Sequence, residues 1–225
     1  MLLTIHQPEH MPWLGFFDKM QKSETFIILD DVQYRKNYFQ NRNKIVANIG
    51  EPRWITVTVE KGSLSTKINE KKILKDSRNF PKEYKNLIYE SYKHEKYFKT
   101  YSEELFNLID NSNENLLGFN MNIINFFRKV FEINTPILFS SNLDGDGKKT
   151  DLILSLCKKV CASEYLSGPA GKDYLDLGSF KESNIKVSFH HFKQKSYLSK
   201  NYHPNLSSID YLFRQGPNYF KEETE

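Results

Sequence analysis

With 225 residues the chain is long enough for one well-buried α/β domain, and length alone demands no second. A charged fraction of 27% and a hydrophobic fraction of 39% suit a soluble globular protein. The net charge of +4, with no arginine-rich helix or zinc-finger spacing, argues against nucleic-acid binding. No apolar run approaches the ~20 residues that span a bilayer, and no basic segment followed by an apolar one opens the chain. A cytosolic protein without membrane insertion is expected.

The first apolar run, 2–5, reads as a buried strand that ends at His6-Gln7-Pro8. Pro8 and Pro12 forbid a helix across the turn, and Pro12 suits a first helical position. Leu14, Phe16, Phe17 and Met20 fit one helical face, and a second strand at 26–29 reaches Asp30-Asp31. Strand, turn, helix, strand is the pattern of a parallel sheet. Short strands at 45–47 and 54–59 pair across Gly50-Glu51-Pro52, with Lys36, Asn41, Arg42 and Asn43 clustered on the loop before them. Residues 61–66 form a polar loop, a candidate flap. The lysine-rich stretches 61–75 and 193–200 read as solvated surface.

The middle of the chain, about 81–132, reads as a helical insertion opened by Pro81, with Ser102 as an N-cap and a further helix at 122–131. A strand at 137–139 ends in Ser140-Ser141-Asn142. Thr150 caps a helix over 151–160, and 164–167 is a strand that breaks at Gly168-Pro169-Ala170-Gly171. A short helix near 174–180 leads to an alternating strand over 185–190. The whole reads as a single α/β domain over 1–225, a Rossmann-like, mostly parallel sheet with the helical insertion; two lobes are the alternative. Cys157 and Cys161, four apart, fall on one helical face and read as small core residues. A metal site there would need further ligands such as His190 and His191.

The blocks His6-Gln7-Pro8 with Pro12-Trp13-Leu14-Gly15, Asp31-Val32-Gln33-Tyr34 with Lys36, Asn41-Arg42-Asn43-Lys44-Ile45 and Trp54-Ile55-Thr56-Val57 form an ordered series. Tyr165-Leu166-Ser167-Gly168 with Tyr174-Leu175, and Leu206-Ser207-Ser208-Ile209-Asp210, complete it. The series resembles the WbqC-like family, bacterial proteins associated with O-antigen and other surface-polysaccharide loci. The resemblance implies a role in polysaccharide assembly, the modification of an activated sugar, and no defined reaction. His10 departs from the family pattern, which has an aromatic residue there, and is the weaker catalytic candidate beside His6.

In open α/β sheets ligands sit outside the carboxyl ends of the strands, where His6, Gln7 and Asp31 fall. His6 fits a general base and Asp31 an orienting carboxylate. Gln7 offers a donor and an acceptor, and Trp13 a stacking face. Gln33, Lys36, Asn41, Arg42 and Asn43 are substrate-binding candidates, with Arg42 suited to a bidentate phosphate clamp. Ser167 and Gly168 begin a turn of anion-binding character, though Walker spacing is absent. Asp210 reads as part of a helix-capping box with Ser207.

These residues suit N-acyl or aminoacyl transfer to a nucleotide-linked amino sugar, with a small-molecule donor. Nucleotidyl transfer to a sugar phosphate is the alternative, because the first turn is similar, as a fold-level analogy, to that of nucleotidyltransferases. A non-catalytic nucleotide-sugar-binding subunit is the third reading. No cofactor fingerprint is present; ATP or another acyl donor, Mg2+ through Asp31 and Asp144, and homo-oligomerisation remain open.

Overall fold

The computed structural model describes residues 1–46, 50–75, 79–112, 114–198 and 203–221. Its elements are β1 (Leu2–His6), α1 (Leu14–Gln21), β2 (Thr25–Ile28), β3 (Arg42–Val46), β4 (Pro52–Thr56), α2 (Tyr84–Tyr92), α3 (Phe98–Asp110) and α4 (Leu116–Val130). There follow β5 (Ile137–Phe139), α5 (Thr150–Lys159), β6 (Glu164–Ser167), α6 (Leu177–Glu182), β7 (Lys186–Phe189) and α7 (Ser208–Gln215). Two compact units arise. Residues 1–7, 16–31 and 134–193 make the first; the described residues among 8–15, 32–133 and 194–225 make the second.

The first unit is a five-stranded sheet in the order β5-β2-β1-β6-β7, with every neighbouring pair parallel. This is the α/β, Rossmann-like, mostly parallel architecture. Alternation along the strands explains why helices cover both faces. Leu3 and Ile5 of β1, with Ile27 of β2, join Ile153, Leu156 and Cys157 of α5 and Phe180 of α6 in one core cluster. The intervening residues face the other way: His6 and Phe26 each set a ring edge-on to Phe16 of α1, with centroids 5.1 and 5.3 Å apart. Cys161 differs from expectation. It lies beyond the end of α5, exposed and at φ +54°, because the helix stops too early to bury it beside Cys157.

The second unit contains the antiparallel pair β3–β4, registered from Arg42↔Thr56 to Val46↔Pro52, and α2, α3, α4 and α7. Arg42 and Asn43 are therefore strand residues, not loop residues. Their polar side chains hid a ladder that backbone groups build regardless of side chain. Ala47, expected to close this strand, lies outside the described residues, as do Ser199 and Lys200 at the end of the second lysine-rich stretch. Pro81 does not open a regular helix. Phe80 before it is extended (φ −149°, ψ 133°), as the residue preceding proline prefers, and α2 begins at Tyr84. Ser102 is no cap but a buried interior residue of α3, overridden by packing of Phe98, Leu105 and Ile109. Asn115 caps α4, accepting from the Gly118 N–H at 2.9 Å.

Candidate functional site

The strand order of the first unit reverses between β1 and β6. At such a switch point the connections leave in opposite directions and open a crevice at the carboxyl ends. β1 ends in His6-Gln7 and its neighbour β6 in Ser167-Gly168, so these four candidates share one edge. Thr4 Oγ1 ties the two strands by donating to the Leu166 carbonyl at 3.1 Å. Ser167 is buried, its hydroxyl donating to the Gly168 carbonyl at 3.1 Å. The turn closes so tightly that a Cβ on Gly171 would stand 2.0 Å from Ser167 Oγ, which accounts for the glycine. At Gly168 such a carbon would meet open space.

His6 is partly buried, and its Nδ1 lies 2.9 Å from the Gln7 carbonyl. A carbonyl only accepts, so Nδ1 carries the proton and Nε2 is the acceptor nitrogen of the neutral ring. Burial, foremost, and then the Lys19 ammonium lower its pKa to about 3; the Gln7 carbonyl pulls the other way, and His190 adds a smaller lowering. Lys19 is itself buried, donating to the Ile5 carbonyl at 3.3 Å.

His190, one residue past β7, is buried and hydrogen-bonds through Nε2 to Asp18 Oδ2 at 2.6 Å. Burial alone would raise the Asp18 carboxyl, but hydrogen bonds from His190 and Lys22 hold it below the usual range. After β2, Asp30 is buried and fully engaged. Its Oδ1 accepts from Ser140 Oγ and the Ser141 N–H, both at 3.0 Å, and its Oδ2 from Ser141 Oγ at 2.8 Å. Asp31, less buried, also accepts from Ser140 Oγ.

The remaining candidates belong to the second unit. His10 is wholly buried: Nδ1 donates to Asn120 Oδ1 at 2.9 Å and Nε2 accepts from the Tyr84 hydroxyl at 2.7 Å. Burial lowers its pKa to about 4. Both ring nitrogens are engaged inside the second unit. Trp13 is half-buried, with its ring laid over Gly15, where a Cβ would stand 2.2 Å from the indole. Asn43 is buried and donates to the Met11 carbonyl at 2.8 Å; Asn41 is buried and donates to that of Val57 at 2.9 Å. Gln33 and Lys36 are exposed, Gln33 donating to the Leu64 carbonyl. Arg42 stacks over Trp54 at 4.1 Å and donates to the Asn37 carbonyl.

Several polar residues were missed by sequence reasoning. His190 closes an alternating strand, and the strand-end rule applied to His6 would have flagged it. Lys19 gave no signal, because a lysine on an amphipathic helix reads as solvated. Asp210 does not cap its helix. It is wholly buried and accepts from the Tyr92 hydroxyl at 2.9 Å, the Tyr197 hydroxyl at 2.6 Å and Arg214 Nε at 3.2 Å, while Ser207 alone caps α7. Among the described residues no group of three or more His, Cys, Asp or Glu side chains could hold a metal ion, and no helix is long and apolar enough to cross a membrane.

Comparison with known proteins gives a family but no chemistry. The chain is 30% identical, over 97% of its own length and 97% of the relative's, to the uncharacterized protein Rv1507c of Mycobacterium tuberculosis. No solved structure matches it. A profile of the WbqC-like protein family matches residues 7–222, nearly the whole chain, and the chain belongs to that family.

Proposed function

We propose that this protein is an enzyme of bacterial surface-polysaccharide assembly that modifies a nucleotide-linked sugar, most concretely by transferring an acyl or aminoacyl group to an amino sugar. The observation that carries the reading is the neutral His6 at the switch point of a parallel sheet, its tautomer set by the Gln7 carbonyl. A glycan substrate follows from the implication of the family resemblance. In the reaction, the sugar amine attacks the carbonyl of an activated acyl donor, the C–N bond forms and the donor's leaving group departs with its electron pair. His6 Nε2 takes the proton from the attacking nitrogen as that nitrogen becomes positive and acidic, so a weakly basic imidazole suffices. Negative charge on a bound diphosphate would strengthen His6 as an acceptor. Asp31 is assigned to the amine, and Gln7 and the Ser167–Gly168 turn to the polar groups of the ligand.

The test is incubation of the purified protein with dTDP- and UDP-linked amino sugars, ATP, amino acids, acetyl-CoA and Mg2+, read by mass spectrometry. A mass gain on the sugar is expected, reduced roughly 10²-fold or more by His6→Ala in a variant whose circular dichroism is unchanged. A gain unaffected by that substitution removes His6 from the reaction. No gain with any sugar rejects acyl transfer, and pyrophosphate release would favour nucleotidyl transfer instead.

A further inference from the structure

The second unit carries cations and apolar side chains together on one exposed surface. Strand alternation turns Asn43, Ile45 and Ile55 inward, where all three are buried, and so turns Arg42, Lys44 and Trp54 outward. Trp54, paired across the ladder with Lys44, is 41% exposed. Arg42 Cζ lies 4.1 Å and the Lys44 ammonium 5.2 Å from the centre of its ring. Phe39, 5.9 Å from the indole, links it to Tyr38 at 5.5 Å. Tyr38 is 43% exposed, with the Arg35 guanidinium 4.7 Å from its ring centre. Arg42 also donates to the Asn37 carbonyl, which holds this loop to β3.

The polar loop 61–67 lies beside the same segment. Gln33 donates to the Leu64 carbonyl, and the Tyr34 N–H to the Thr66 carbonyl at 2.9 Å, next to the stretch that runs into Arg35. Leu64 is 88% exposed, the most bared large hydrophobic side chain among the described residues. An exposed leucine alone is ordinary; its setting here is not. Among the described residues Arg35, Lys36, Arg42 and Lys44 pair with no carboxylate, nor do Lys61 and Lys67 on either side of Leu64. The stretch 32–71 holds three carboxylates, Glu51, Glu60 and Glu70, against eight Lys and Arg. The surface is therefore basic, and its charge is left for an external anion.

We propose that this surface docks the protein, without insertion, on an anionic lipid bilayer. Acidic headgroups attract clustered Lys and Arg, while Trp and Tyr settle at headgroup level with their polar edges in water. A bared leucine between two lysines then leaves water for the acyl boundary as the ammonium groups stay outside. A nucleic acid would meet the charges and the rings, but it gives Leu64 nothing apolar to enter. The docking is a property of the second unit and does not depend on the acyl-transfer reading.

The test is co-sedimentation of the full chain with vesicles of phosphatidylcholine alone or with about one-third phosphatidylglycerol. Binding to the anionic vesicles is expected, with little to the neutral ones and a fall as NaCl rises from about 0.1 M to about 1 M. Arg35→Glu with Lys44→Glu should weaken it roughly 10-fold or more. The charge-matched pair Lys158→Glu with Lys181→Glu, exposed on the first unit, should leave it near the parent value. Leu64→Ser and Trp54→Ala should each weaken it several-fold, and Leu64→Ser touches only an exposed loop, so its folding is not in question. No binding to anionic vesicles overturns the proposal. So does an equal loss in both charge-reversed pairs, or undiminished binding in both Leu64→Ser and Trp54→Ala. Binding to a single-stranded oligonucleotide in place of vesicles would overturn it in favour of a nucleic-acid partner.

Discussion

His6 and His10 have the same side chain and opposite fates, decided by what meets their ring nitrogens. His10 gives both to Asn120 and Tyr84 in a closed core, and the Nδ1 of His6 meets the Gln7 carbonyl at a strand end. Both are kept neutral, with pKa lowered to about 3 and about 4. The consequence for stability has a definite sign. Between the unfolded value near 6.5 and the folded values, the unfolded chain binds protons that the native one refuses, so stability rises with pH across that window. Urea unfolding between about pH 4 and 7 should show the native state losing stability as the pH falls below about 6.5, with His10 alone accounting for on the order of 3 kcal/mol. A flat profile, or one that His10→Asn leaves unchanged, would remove the neutral buried imidazole as the cause. Reading the sequence separated these two histidines only through the family pattern; the physical reason lies in partners 74 and 110 residues away.

At the scale of elements, the first turn shows why a glycine follows Trp13. The indole lies on Gly15 where any Cβ would collide. Gly15→Ala should therefore destabilise the protein by about 1–3 kcal/mol in chemical denaturation, despite alanine's better helix propensity. Adding Trp13→Ala should cancel part of that cost, giving a double-mutant coupling; strict additivity would mean the contact is not the cause. Asp210 is a second joint of this kind, drawing Tyr92 of α2 and Tyr197 onto α7 and pairing with Arg214 one turn further along the same helix. Asp210→Ala leaves two hydroxyls and Arg214 Nε short of an acceptor, while Glu95 still answers the guanidinium, and should cost about 1–3 kcal/mol. A loss below about 1 kcal/mol would show that the network is dispensable. The capping-box spacing marked the helix start at Ser207, but no local pattern distinguishes a capping aspartate from one that binds groups brought in by other elements.

For the molecule as a whole, the short apolar runs, the turns that punctuate them and the amphipathic segments between them were enough to determine a parallel α/β sheet. Those features are local: a strand buried on both faces and a helix with one apolar stripe announce themselves within a few residues. The strand ends His6-Gln7 and Ser167-Gly168 were legible for the same reason. Tertiary structure alone decided the order β5-β2-β1-β6-β7, and with it the reversal that makes β1 and β6 neighbours. It alone buried Lys19 and Lys71, joined His190 to Asp18 and left Tyr34 and Arg42 with unused donors. Burial and pairing of a charged side chain depend on what distant segments place around it, and the energies that select such an arrangement arise only once the chain has closed.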